Sequence, residues 1–164
     1  MIFQSQDCYI DLINNKDLNE IIEVYNSNRY FLTKHMDKEE VTIEWIIQEL
    51  ESMKEIGFYC CKIVDISSKK IIGIMDFKID LETYLSLLMI HNDYKSKGFG
   101  EQIFKAFEEY AKSSESKCIK IDVVTNYNNS VLDFWVRNGF AKFKDVELNW
   151  TGKILSAITM KKSL

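Results

Sequence analysis

Two spacings of apolar residues divide the chain. CYIDLI, residues 8–13, has the short apolar character of a strand. The segment after it places Leu18, Ile21, Ile22 and Tyr25 on one helical face, with Asp17 and Glu20 near its positive end. SNRYFLTKHMDKEE follows without a clean period and reads as a loop, with or without a helical turn in it. Ile43, Ile46, Ile47, Leu50 and Met53 set a second amphipathic helix, closed by Gly57. FYCCKIVD and IIGIMDFKI then read as strands joined by the loop ISSKK, and LETY separates them from a third run, LSLLMI. A helix is predicted over 101–112 and an alternating strand in KCIKIDVV. Another helix is predicted over 130–138, with Val131, Phe134 and Trp135 inward and Gly139 as its stop. FAKFKDVELNW and KILSAITMKK read as two final strands. Helices interrupting a mostly antiparallel sheet, with one locally parallel β-α-β unit over 85–124, predict a single α/β (α+β) domain covering 1–164.

Composition narrows the class. A chain of 164 residues, nearly half of them apolar, can bury one sizeable core. The net charge of −4 and the absence of a basic run argue against a nucleic-acid partner. No segment approaches the roughly 20 apolar residues that span a bilayer, and MIFQSQDCYIDL lacks the basic start and apolar core of a signal peptide. A cytoplasmic protein without a membrane partner is expected. Cys8, Cys60, Cys61 and Cys118 form no C-x-x-C pair and lie far from His35 and His91, so no metal site is expected. They read as reduced, mostly buried residues.

The stretch HNDYKSKGFGEQIF, 91–104, carries the candidate chemistry. It joins an apolar strand to a helix, where unpaired backbone N–H groups and the positive end of the dipole favour an anion. Gly98 and Gly100 let the backbone curl, and Lys95 and Lys97 add charged donors. The same glycines also suit a plain turn, and this stretch alone does not choose. A Walker loop is absent, and Ile103 stands where a dinucleotide fingerprint needs its third glycine.

LSLLMIHNDYKSKGFGEQIF resembles the acetyl-CoA-binding motif of the GNAT superfamily of N-acetyltransferases, [QR]-x-x-G-x-[GA] after a strand and before a helix. Lys95 stands at the motif's first position, keeping the charge but not the guanidinium fork. NYNNSVLDFWVRNGF, 126–140, is similar to a second family segment, N-x-x-A-x-x-x-Y-x-x-x-G-F, with Asn128, Val131, Trp135, Gly139 and Phe140 at its positions. IIGIMDF looks like the family's third strand, so the likeness spans about residues 8 to 161.

The resemblance implies the GNAT fold, a mixed, mostly antiparallel, splayed sheet of about 6–7 strands flanked by about 4 helices. It implies transfer of an acetyl group from acetyl-CoA to a primary amine of a small molecule or peptide by direct attack. LSLLMI would carry a bulge and splay from KIDVV, with Leu88, Met89 and Ile90 against the pantetheine arm. Leu88 would be the backbone oxyanion donor. Lys95, Ser96, Lys97, Gly98, Phe99, Gly100 and Glu101 would hold the pyrophosphate. Asn128 would bond the arm, or cap the helix after it, and Trp135 takes the place of the family's acidic tyrosine. An indole N–H is no useful acid, so Tyr127 or Tyr94 is the candidate proton donor. Asp76, Glu82 and Asp122 are candidate bases, each with a plain reading as a strand or loop residue. Tyr30, Phe31, His35 and Met36 line an acceptor pocket or cover the core. A monomer or homodimer is expected. Two other readings stay open: a non-catalytic acyl-CoA sensor and a nucleotide-binding module.

Overall fold

A computed structural model of the protein describes residues 1–150 and 152–164. Its backbone forms one eight-stranded sheet in the order β1-β2-β3-β4-β5-β6-β8-β7. The strands are β1 (Phe3–Gln4), β2 (Cys8–Leu12), β3 (Tyr59–Asp65), β4 (Ile71–Lys78), β5 (Glu82–Ile90), β6 (Cys118–Val124), β7 (Ala141–Trp150) and β8 (Lys153–Ser163). Among the described residues five α-helices accompany them: α1 (Leu18–Ser27), α2 (Arg29–Met36), α3 (Ile43–Glu55), α4 (Phe99–Ser113) and α5 (Asn129–Arg137). Every strand pair is antiparallel except β5–β6, the parallel pair that the β-α-β unit requires. No helix of the described residues is long and apolar enough to cross a membrane.

Each face of the sheet buries its own core. On one side α4 and α5 cover Ile63, Met75, Leu85, Ile119, Ile121 and Val123, with Phe104 and Phe107 supplied by α4. On the other side α1 and α3 cover Val64, Ile74, Leu87 and Met89 with Ile21, Val24 and Ile46. Cys60 and Cys61 point to opposite faces, one half-buried and one fully buried, and all four cysteines are free.

Three expectations about elements change. The segment read as a loop holds α2, whose buried Leu32, His35 and Met36 follow helical spacing over barely two turns. Asp37 ends it in the left-handed region at φ 52°. So short a helix gives too few repeats to show a period. LETY is not a separator, since Glu82, Thr83 and Tyr84 begin β5 and make its pairs with β6. The two-residue β1, paired to β2 through Phe3 and Ile10, has no signature of its own.

Candidate active site

The site begins where β5 changes its register. Phe77 of β4 stands opposite Leu85, and the next residue back, Asp76, stands opposite Leu87, so Ser86 is an extra residue on β5. Such a bulge turns the following side chains to the other face. Leu85 accordingly belongs to the core under α4, while Leu87 and Met89 belong to the core under α1 and α3.

The bulge coincides with the parting of the sheet. β5 and β6 pair only over Glu82–Cys118, Thr83–Ile119 and Tyr84–Lys120, although both strands run on. His91 N–H donates to the Ile72 carbonyl at 2.8 Å and fixes the phase of the β4–β5 ladder. In that phase residues 87, 89 and 91 bond to β4, so the backbone groups of Leu88 and Ile90 face away from β4 into the gap. The Ile90 carbonyl is already engaged there by Asn28 Nδ2 at 3.1 Å.

At the wide end of this gap the chain enters the glycine loop. Ser96 and Gly98 are both left-handed, at φ 59° and 85°, and they curl the backbone into the first turn of α4. Gly98 is required by its conformation, since a Cβ there meets nothing within 4 Å. Gly100 lies in ordinary helix, where a Cβ would touch the Phe134 ring at 3.7 Å. The first helical bond runs from Gln102 N–H to the Gly98 carbonyl, and no described side chain caps α4. The amides of Phe99, Gly100 and Glu101 therefore open forward at the positive end of the longest helix. Lys95 reaches the cleft, and the Lys97 ammonium sits 5.4 Å from the Tyr94 ring centre.

The gap widens into a cleft of about 450 Å³ between the β5–β6 fork and α1–α3. Leu88, Met89, Ile90, Trp135 and Tyr127 line it. Asn128, Tyr94 and Glu82 are not among its lining residues. Asn128 caps α5, its Oδ1 accepting from Ser130 N at 3.0 Å. Glu82 is paired with Lys161 at 2.5 Å. Tyr94 packs on His91 and Phe99. Trp135 is wedged between Phe104 and Phe140 and is nine-tenths buried. Of the four residues expected around an acceptor, Phe31 and His35 line the cleft, Met36 is buried in the core, and Tyr30 is exposed and stacked on Tyr127 at 5.2 Å.

Three carboxylates reach the cleft. Asp122 has a partner on each oxygen: Tyr84 Oη donates to Oδ2 at 2.9 Å and Thr159 Oγ1 to Oδ1 at 2.5 Å. Asp76 is different. It is 6 % exposed and its Oδ1 has no hydrogen-bond partner among the described residues. Burial pushes its pKa up to about 7; the Cys60 thiol facing it across the ladder opposes this and nearby Glu49 adds to it. Burial also raises Glu49, on α3. Tyr84, Glu49 and Tyr25 were not legible as site residues, because only the folded chain brings Tyr84 to Asp122 and Glu49 and Tyr25 beside Asp76.

The sequence model of the acetyltransferase (GNAT) family matches residues 18–140. The chain belongs to this family. Its fold is that of other GNAT acetyltransferases at low identity. An acetyltransferase from Thermus thermophilus superposes with TM-score 0.77 at 19% identity, covering 98% of this chain and 99% of that one. A spermidine N-acetyltransferase from Vibrio cholerae, in complex with CoA and spermine, gives 0.75 at 14% identity over 96% and 95%. The paia N-acetyltransferase from Thermoplasma acidophilum, in complex with coenzyme A, gives 0.67 at 19% identity over 97% and 100%. No curated protein matches the sequence significantly.

Proposed function

We infer that the chain, acting as one domain over 1–164, transfers the acetyl group of acetyl-CoA to a primary amine by direct attack. One observation carries this reading. β5 leaves β6 after Tyr84, turns the backbone of Leu88 and Ile90 into the opening, and ends at an uncapped, glycine-curled helix start. A long ligand with an anionic end and an amide-bearing arm suits that shape. The residues fit it, because a left-handed Gly98 keeps the helix amides clear and the gap offers strand-like partners.

In this reading Lys95, Ser96, Lys97, Gly98, Phe99, Gly100 and Glu101 hold the pyrophosphate. Leu88, Met89 and Ile90 hold the arm, and the Leu88 N–H polarises the carbonyl that is attacked. Acetyl-CoA supplies the activated acyl group. An amine is mostly protonated near neutrality and must first lose a proton. Asp76 is the group placed to take it, with a pKa near 7 and an oxygen unpartnered among the described residues. Burial keeps Tyr127 protonated, so it can return a proton to the departing thiolate. Tyr84 already spends its proton on Asp122. Asn128, engaged as a helix cap, would add its free amide to the arm.

Acetyl-CoA should raise the melting temperature, since a ligand selective for the folded state stabilises it. Gly98→Glu should abolish the rise by placing a negative side chain at the cradle. An unchanged rise would remove the loop from the site. Thiol release from acetyl-CoA across a panel of amines then separates enzyme from sensor. Trp135 at the family's tyrosine position is the observation that favours a sensor, and tight acetyl-CoA binding without turnover on any amine would establish it.

A further inference from the structure

Resting on that reading, the cleft also describes the acceptor. Its acceptor half divides into two regions of different chemistry. One is an acidic corner made by Asp76 and Glu49, neighbours across the strand–helix boundary. The other is an aromatic wall in which Phe31 and His35 stack on each other and meet Tyr127 and Trp150 edge to face.

The wall carries no charge at neutral pH. His35 is 4 % exposed; burial lowers its pKa, the hydrogen bond to the Phe31 carbonyl opposes this, and Lys153 adds to the lowering. Its Nδ1 lies 2.9 Å from the Phe31 carbonyl and therefore donates to it. Among the described residues the only lysine lining the cleft is Lys95, at the glycine-loop end; Lys153, close enough to act on His35, lies outside the lining and is paired with Asp37, so the cleft offers a carboxylate of the acceptor no free lysine at the wall. The third carboxylate, Asp122, has both oxygens occupied by hydroxyls. The carboxylate oxygen left without a partner among the described residues thus lies at one point of the cleft, on Asp76. Buried aromatic surface rewards a flat apolar partner, and a buried carboxylate with one oxygen unpartnered among the described residues rewards one ammonium placed beside it.

We propose that the acceptor is an arylalkylamine: one primary ammonium seated at Asp76 and Glu49, on a flat aromatic body lying along Phe31, Tyr127 and Trp150, with no carboxylate. Acetyl transfer would form the amide C–N bond and break the thioester C–S bond. The amine proton would pass to Asp76, and coenzyme A would leave as its thiol.

The test compares kcat/KM for thiol release with phenethylamine and tryptamine against spermidine, free lysine and a lysine peptide. The arylalkylamines should exceed each of the others by at least about ten-fold, the scale of one well-made aromatic contact. Preference for spermidine or the peptide would overturn the proposal while leaving the acetyltransferase reading standing. Phe31→Leu should lower kcat/KM for phenethylamine about ten-fold and leave n-butylamine nearly unchanged; an equal loss for both would show that the wall only supports the fold. Asp76→Asn should lower kcat/KM for every amine by about a hundred-fold with an unaltered acetyl-CoA thermal shift. If no amine turns over, phenethylamine is titrated calorimetrically into the CoA-loaded protein. Binding that Asp76→Asn removes would uphold the pocket and overturn the enzyme reading. No binding would overturn both.

Discussion

Asp76 and Leu87 face each other across the β4–β5 ladder immediately beyond the bulge at Ser86. One extra residue therefore sets two things together. It lies next to the point where β5 stops pairing with β6, and it turns Leu87 to the α1–α3 side, opposite the buried Asp76 that the alternation of β4 already directs there.

Removing the extra residue should separate fold from ligand. With Ser86 deleted, Leu85 and Leu87 become consecutive and still fall on opposite faces, so both cores keep their residues. The strand loses its bend, and the gap toward β6 should close. The expected outcome is a folded protein by circular dichroism with no acetyl-CoA thermal shift. A deletion variant showing the normal shift would mean that the bulge does not hold the gap open.

Away from the site, the start of α1 depends on a buried ion pair. Lys62 Nζ lies 2.7 Å from Asp17 Oδ2, both side chains being under a tenth exposed. The same oxygen accepts the Asn14 N–H and closes a capping box. Asp17→Ala strands a buried ammonium and should cost about 3–5 kcal/mol in urea unfolding. Adding Lys62→Met should recover much of that loss. A double variant as unstable as the single one would show that the cap, not the charge, is what matters.

Much of this was legible from spacing alone. The periods of α1, α3 and α5 and the strands flanking them appear directly, because amphipathic faces repeat over several turns. The glycine loop and the segment from Asn126 also stand out, since both combine turn residues with an apolar run. The bulge was visible only through family resemblance. Thr83, Leu85, Leu87 and Met89 are all buried in unbroken alternation, so nothing in the pattern marks the point where the buried side changes face. The three candidate bases were equivalent as letters in a sequence. What separates them is tertiary: Lys161 pairs with Glu82, a hydroxyl engages each oxygen of Asp122, and Asp76 is left with an oxygen unpartnered among the described residues.

Gly73 should prove unable to accept a side chain. A Cβ there would lie 2.7 Å from the Met89 carbonyl oxygen and 2.9 Å from Ile63 Cδ1. The first contact is backbone of the very strand that borders the gap, so it cannot rotate away. Gly73→Ala should destabilise by roughly 1–3 kcal/mol, as overpacking does, and reduce the acetyl-CoA thermal shift. Denaturant unfolding checks the first effect, and unaltered stability would show that β5 moves freely against β4.

The raised pKa of Asp76 makes a signed prediction about stability. Unfolded, the carboxyl ionises in its ordinary range near 3.8; folded, it holds its proton up to about 7. Between those values the folded chain binds more protons than the unfolded one, so stability falls as pH rises through that window. About three pH units at 1.36 kcal/mol each set a ceiling of roughly 4 kcal/mol for the loss. Asp76→Asn removes the titrating group while keeping its shape. The variant should gain on the natural chain between pH 5 and pH 8, measured as the difference in unfolding free energy. Glu49, Cys60 and Tyr25 also face this pocket and remain in both proteins, so their contributions largely cancel in the comparison. Parallel stability profiles for the two proteins would mean that Asp76 ionises normally in the fold, and its role as proton acceptor near neutral pH would fall with it.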